Sequence, residues 1–418
     1  MQRAYIPQLY GTEGSDPFPK KTKPDGNIRH MERLHMNKTW ITFLAGASVA
    51  GSLMIGGVAH AGYNDLIKTL EAKGTITADE AADLKAQEVT PDKGDAKSLK
   101  ITGRVQFQAG YVDQENDVNS GDWSTFEVRR ARIGVSGNFT EDIKGKVEAN
   151  IVPGSVSVRS AFISWGHSDA FNLTGGYDKP VSSLEENTSS ASILTVERSN
   201  VNNNIAAPGE SVGLWADGEA GLFFYHLGLY NGESGTRNTS NEEAEYLFNA
   251  HGGLTLDLAE DTAVTVMVSY LETDDPNAEL GYEDVTTAAI HFEAGAFDLR
   301  TEYFMGSDED GDTDGFYIMP SMKLSKQLEA VLRYEQAESD SGSGIGAQSR
   351  YAKRTDTVVI GEDKADKGDE FSALYLGMNY YFAKYQKVMV GVEVSELENT
   401  DAGKLDTTSL FGAYRVRF

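Results

Sequence analysis

Arginine and lysine recur at two-residue spacing in this chain, as Arg130 and Arg132, Lys144 and Lys146, and Arg415 and Arg417, with Arg104 and Arg159 standing singly. Most of them stand where apolar and polar residues alternate, and in an extended strand every second side chain points the same way. Cations gathered on one face of neighbouring strands make and break no bonds. They set a local field that draws anions and repels cations.

Other chemistry is poorly provided for. There is no cysteine, which removes thiolate catalysis, cysteine zinc sites and disulfide frameworks. His167, His226, His251 and His291 show no metal-ligand spacing, no Gly-x-Ser-x-Gly elbow occurs, and no glycine loop joins a strand to a helix. No catalytic residue and no cofactor is therefore expected; an enzyme on such a chain would need a nucleophile, base and orienter brought together from distant segments. Asp308, Asp310, Asp312 and Asp314 alternate with other residues in a run that also holds Gly311 and Gly315, an arrangement suited to a hard cation such as calcium. The run lacks the bidentate glutamate spacing of an EF-hand, and the competing reading is a solvated acidic loop tip.

The elements that position these residues follow from a period of two. In ITGRVQFQAGY, Ile101, Val105, Phe107, Ala109 and Tyr111 share one face while Thr102, Arg104, Gln106 and Gln108 share the other. The same alternation recurs in IKGKVEANI, YLFNAHGGLTLDL and VMVGVEV. It predicts sixteen strands at 100–112, 125–139, 142–152, 156–166, 170–178, 210–218, 220–231, 245–258, 261–272, 284–294, 296–306, 314–325, 327–337, 369–382, 386–396 and 407–418. Tight turns such as Thr140-Glu141-Asp142 follow the even strands and mostly longer polar connections follow the odd ones, the habit of transmembrane barrels.

Composition agrees. Forty-three glycines, nineteen tyrosines and eighteen phenylalanines against ten prolines suit strands and turns. Mean hydropathy is −0.39, and only one apolar stretch approaches the length of a membrane-crossing helix. A membrane protein without further such stretches must be a closed barrel, because lipid offers the backbone no hydrogen-bond partner. A soluble β-sandwich also alternates, but it gathers aromatics mid-strand. Here Tyr111, Tyr177, Tyr230, Tyr270, Tyr303, Tyr334, Tyr380 and Phe382 fall near strand ends, as interfacial girdles do.

The single apolar stretch begins at Met36, with Lys38 before a small-residue core and Ala59-His60-Ala61 as a cleavage site. Residues 36–61 thus read as a secretory signal peptide, the competing reading being an anchor helix over 41–58. Residues 1–35 precede that start and read as a misassigned upstream extension. Residues 62–99 read as a helical hairpin and linker, with Gly74 ending the first helix and Thr77-x-x-Glu80 capping the second; solvated spacer and short coiled coil both fit. Residues 100–418 form the barrel domain. Removal of residues 1–61 takes seven basic and four acidic residues from a chain of net charge −27. The remainder carries about −30, which argues against nucleic-acid binding.

Closing a sixteen-stranded barrel sets its last strand beside its first. Arg104, Arg130, Arg132, Lys144, Lys146, Arg159, Arg415 and Arg417 then form one basic wall relieved by Glu148, while much of the acidity lies in loops such as 307–314 and 361–370. The plainer alternative is that these charges only keep the wall wet and pair with neighbours.

The last residues, LFGAYRVRF, alternate and end on Phe418, and this resembles the closing strand by which outer-membrane proteins are recognised by the barrel assembly machinery. FEVRRARIGVSGNF at 126–139, AFISWG at 161–166, LTGGYDKP at 173–180 and the serine-rich loop ending in VERSN at 196–200 together resemble the phosphate-selective porin O/P family over most of residues 62–418. The resemblance implies a porin of the bacterial outer membrane, set in lipid and commonly a homotrimer, passing small hydrophilic solutes along an anion pathway of arginine and lysine. It further implies that the third long connection, residues 179–209, folds inward as a constriction bearing Lys179, Glu185, Glu186, Glu197 and Arg198. Read without the resemblance, the alternative is a mobile surface loop, although Ile193-Leu194-Thr195-Val196 favours packing. A non-conducting adhesive or structural barrel and a general cation-tolerant porin share the strand pattern.

Overall fold

The computed structural model describes residues 71–74, 77–78, 98–116, 120–231, 246–273, 281–341, 344–347 and 367–418. The expected signal peptide, upstream extension and most of the helical hairpin lie outside them. Gly74 is described and has φ +67°, with its N–H donated to Glu71 O at 2.9 Å, the geometry of a helix stop.

The chain from Leu99 is a ladder of strands: β1 (Leu99–Asn116), β2 (Ser120–Asn138), β3 (Ile143–Val152), β4 (Ser155–Ser168), β5 (Phe171–Asp178) and β6 (Ser211–Ala220). It continues with β7 (Phe223–Asn231), β8 (Tyr246–Ala259), β9 (Thr262–Thr273), β10 (Asp284–Ala294), β11 (Phe297–Asp308), β12 (Gly311–Lys323) and β13 (Leu328–Ser339). A two-residue pair, β14 (Ile345–Gly346) and β15 (Lys367–Gly368), interrupts the ladder before β16 (Glu370–Ala383), β17 (Gln386–Asn399) and β18 (Gly403–Arg417). Apart from β14 and β15, each strand pairs antiparallel with its sequence neighbours, and β18 closes on β1, so sixteen strands form a closed barrel.

Closure satisfies the backbone within the sheet, and alternation then decides what each face meets. Outward lie Ile101, Phe126, Val156 and Leu376, each at least 61% exposed. Inward on the same strands lie Gln106, Gln108 and Ser160, each buried. This inverts a water-soluble barrel: a continuous outward apolar band of this kind is stable only against lipid. No helix among the described residues is long and apolar enough to cross a membrane.

Most girdle aromatics stand outward, with Tyr111, Tyr303 and Tyr334 toward the long-loop end and Tyr380 and Phe382 toward the short-turn end. Tyr230 does not. It is 1% exposed and turned inward, stacked on Trp215 at 5.6 Å with its hydroxyl 3.1 Å from His226 Nε2. Its place in the alternation of β7 outranks its place near the strand end. Several strands also run past the expected bounds: β1 and β2 extend to Asn116 and from Ser120, so a segment expected as loop is mostly ladder.

Candidate constriction and basic wall

Residues 179–210, between β5 and β6, fold into the barrel. Their two short helices, α1 (Leu184–Asn187) and α2 (Asn200–Ile205), are capped by Ser183, which accepts from Glu186 N at 2.9 Å, and by Ser199, which accepts from Asn202 N at 3.2 Å. Ile193, Leu194, Val196, Val201 and Ile205 are all buried, at about 2 kcal/mol of apolar transfer each. The loop backbone is satisfied by lumen side chains far away in sequence. Asn249 on β8 clamps Val181 through N–H and C=O at 3.1 and 2.7 Å, and Glu302 on β11 accepts from Leu184 N and Glu185 N at 2.7 and 3.2 Å. Asn379 on β16 donates to Leu194 O at 2.9 Å, Lys387 on β17 to Ile193 O at 2.7 Å, and Arg415 on β18 to Ser190 O at 3.1 Å and to Val196 O. The loop is thus held from many sides of the wall.

Its acidic residues are all engaged. Glu197 takes Arg129 in a bidentate pair at 2.8 and 3.3 Å. Glu186 is paired with Lys179 and with Arg198 at 3.3 Å, and accepts from Asn202 Nδ2 at 3.0 Å. Burial pushes the Glu186 carboxyl up, but Arg198 and Lys179 outweigh it and hold it down to about 2. Burial likewise pushes the Lys179 ammonium down to about 8 despite Glu186 beside it. Glu185 lies 3.5 Å from Arg333 on β13, which also reaches Glu335 at 3.1 Å and Glu393 at 2.9 Å. That guanidinium is 1% exposed, donates to Thr195 Oγ1 and Glu197 O at 3.2 and 3.1 Å, and lies 5.6 Å from the Tyr375 ring centre.

Along β1 to β4, register brings the expected cations together and two bulges adjust them. Arg104 pairs across the ladder with Arg132 on one side and Arg417 on the other. Glu148 on β3 stands among Arg104, Arg132 and Lys146 at 3.8, 3.6 and 3.8 Å. Strict alternation would put Arg159 on the outward face of Ala161 and Ile163. An irregularity opposite Glu148 and Ala149 leaves Arg159 as the extra residue of β4 and turns it inward, where it pairs with Glu210. A matching irregularity at Gln106 and Phe107 makes Arg129 the extra residue of β2, which is how it reaches Glu197 although the period of two assigns it to lipid. Arg104, Arg132, Lys146, Arg159, Lys179 and Arg198 keep side-chain exposures of 12–28%.

Four of the eight wall cations stand differently from the sequence expectation. Arg130 is 7% exposed and donates to Gln106 Oε1 at 3.0 Å, and Arg415, at 3% exposed, is spent on loop carbonyls. Lys144 is exposed at the short-turn end of β3, and Arg417 lies 4.4 Å from the Tyr385 ring centre at the same end of β18. Alternation fixes which face a residue takes, but not its height in the barrel or what covers it. Arg333, Lys387, Asn379 and Glu302 are not singled out by motif or spacing, although each stands on an inward position of an alternating strand. Their polarity on that face was the available signal.

The acidic run does not converge. Asp308 ends β11 and accepts from Ser341 Oγ at 2.7 Å, whereas Asp312 and Asp314 lie within β12, Asp314 accepting from the outward Tyr303 hydroxyl at 2.7 Å. A tight hairpin has replaced the expected loop, so that Asp312 and Asp314 share the outward face of β12 with Phe316 while Asp308 falls on the inward face of β11 with Phe304. The metal-ligand grouping found among the described residues is His291, Glu293 and Asp298 instead. Asp298 there is already held by His291 at 2.8 Å and Arg300 at 3.0 Å.

The fold has counterparts among solved structures. The outer membrane channel DcaP of Acinetobacter baumannii superposes with a TM-score of 0.51 at 14% identity, covering 78% of this chain and 99% of that one. OprB of Pseudomonas putida gives 0.52 at 8% identity over 83% and 97% of the two chains. The loop L8 deletion mutant of OmpT, an outer membrane protein of Vibrio cholerae, gives 0.50 at 13% identity over 78% and 100%. At these identities the likeness is one of fold. No curated protein matches the sequence. Residues 99–353, more than half of the chain, match the family model of phosphate-selective porin O and P; the chain belongs to that family and is a porin of the bacterial outer membrane.

Proposed function

We propose that this porin passes small hydrophilic solutes with a preference for anions, phosphate among them. What carries the reading is the grouping of Arg104, Arg132, Lys146 and Arg159 on the wall with Lys179 and Arg198 on the loop. These six cations meet Glu148, Glu186, Glu210 and Asp178, a net excess of positive charge. The acidic total of the chain does not oppose this, since charges beyond roughly 8 Å are screened at physiological salt. Glu185, Glu186 and Glu197, the carboxylates best placed to favour cations, are each ion-paired. Passage by diffusion needs no bond-making group, and we assign the protein no catalysis.

The test is the reversal potential of the protein in a planar bilayer under a salt gradient. An anion-selective sign is expected, moving toward cations in the double variant R104A/R132A. A cation-selective wild type, or an unchanged double variant, would sink the reading.

We infer also that the chain assembles as a homotrimer and is recognised through its last strand. In support, Phe418 exchanges backbone hydrogen bonds with Gly103 at 2.8 and 2.9 Å, so the terminus is built into the seam between β18 and β1. Native mass spectrometry in detergent, expected to give three copies, and loss of assembly on deleting Phe418 test the two parts separately.

A further inference from the structure

We propose that His291, Glu293 and Asp298 form a binding site for a divalent ion of the zinc type at the short-turn mouth of the lumen. No spacing in the chain announces it; the hairpin of β10 and β11 builds it. His291 stands opposite Arg300 in the ladder and Glu293 opposite Asp298, beside the turn at Gly295. All four share the inward face, where His291 is buried while the neighbouring Ile290 is exposed on the outward one. One ligand atom from each of His291, Glu293 and Asp298, an imidazole nitrogen and two carboxylate oxygens, lies within 4.8 Å of the other two. Ligands about 2 Å from a zinc ion stand roughly 3.3 Å apart around it, so small side-chain rotations close the set while the strands keep their register.

The contacts around the three ligands fit the same assignment. His291 Nε2 meets Asp298 Oδ2 at 2.8 Å, and Arg300 holds that carboxylate through Nε on Oδ1 at 3.0 Å and Nη2 on Oδ2 at 3.3 Å. The shorter guanidinium bond goes to Oδ1, so Arg300 can keep the carboxylate oriented while Oδ2 turns to an ion, the usual task of a group behind a metal ligand. Glu293 makes no hydrogen bond and no ion pair among the described residues; Arg300 acts on it through its charge alone. Two carboxylates therefore stand against one guanidinium, an excess of negative charge that a divalent cation satisfies. The flanking ladder positions carry short side chains, Ala263 on β9 beside Glu293 and Ser321 on β12 beside Asp298, so the long groups at that level are the carboxylates themselves. The imidazole selects among cations, because zinc takes nitrogen and carboxylate ligands whereas calcium and magnesium take oxygen.

The probe is zinc chloride alone, titrated by calorimetry into untagged, chelator-stripped protein folded in detergent, with calcium chloride run in parallel and wild type, H291A and E293Q compared. Wild type should bind zinc more tightly than calcium, and either variant should bind zinc at least tenfold more weakly, since even a group behind a metal ligand is worth roughly 10–100-fold in affinity. E293Q keeps the size of a side chain that has no hydrogen-bond partner, so it carries the test should H291A fail to fold. Zinc affinity unchanged in a folded variant overturns the proposal, because the ion then sits on carboxylates elsewhere in this acidic chain. Calcium bound as tightly as zinc overturns it as well, because the imidazole then plays no part.

Discussion

Replacing Arg333 with methionine removes one cation from among three carboxylates. Arg333 lies 2.9 Å from Glu393, 3.1 Å from Glu335 and 3.5 Å from Glu185, and the first two belong to the wall whereas the third belongs to the loop. It also supplies donors to Thr195 and Glu197, so five contacts end on one guanidinium. Breaking a buried pair by deleting one partner costs about 3–5 kcal/mol, because the surviving charge stays buried and uncompensated. Here the survivors repel one another across the joint between loop and wall, so the penalty falls on the inward seat of residues 179–210. At about 1.4 kcal/mol per decade, the seated-to-released ratio should fall by roughly two to three and a half orders of magnitude. Two assays report it. Single-channel current should become noisy, with a higher mean conductance, and trypsin should cut at Arg198, which is shielded in the seated loop. The triple variant R333M/E335Q/E393Q should restore much of the quiet current, since removing both sides of a buried pair is nearly neutral. Equal noise and equal trypsin resistance in R333M and wild type would show that the apolar loop segment, not Arg333, sets the seat.

Lys179 predicts a pH dependence: with its ammonium pushed down to about 8 by burial, the pore should lose one positive charge as pH rises through that value, and anion preference should decline between about pH 7 and 9 in wild type but not in K179M. The sign for stability is opposite, because the unfolded chain with lysine near 10.5 binds more protons than the folded one between about 8 and 10.5, so this group's contribution to stability rises with pH across that window. Glu186, held down to about 2, contributes stability that is complete above its ordinary 4.5 and lost only as pH falls through about 2; loop protection from trypsin, read after brief acid exposure, should therefore persist at pH 3.5 in wild type and be reduced in E186Q. A Cβ at Gly218 on β6 would lie 2.1 Å from the backbone oxygen of Ala170, so G218A should lower the temperature of heat-modified gel mobility, by an overpacking cost of about 1–3 kcal/mol, and a G218A variant that melts like wild type would contradict the close approach of β6 to the turn before β5.

The barrel was legible in the sequence because its two determinants are local. A period of two sorts residues such as Val105 and Gln106 to lipid or lumen wherever the ladder is regular, and turn residues such as Thr140-Glu141-Asp142 mark where the chain reverses. Sixteen strands, their order and the gathering of Arg104, Arg132 and Lys146 follow from those two signals once the sheet closes. The rest was decided in three dimensions. Two bulges, invisible to a strict alternation, turned Arg129 inward and account for Arg159 standing on the basic wall. Whether a lumen cation meets the solute or holds the loop depends on partners far away in sequence. Arg415 is 225 residues from Ser190, and Arg333 is 138 from Thr195. Such pairs form only when the loop crosses a closed barrel, so the residue types were readable from the chain but their division between wall and constriction was not.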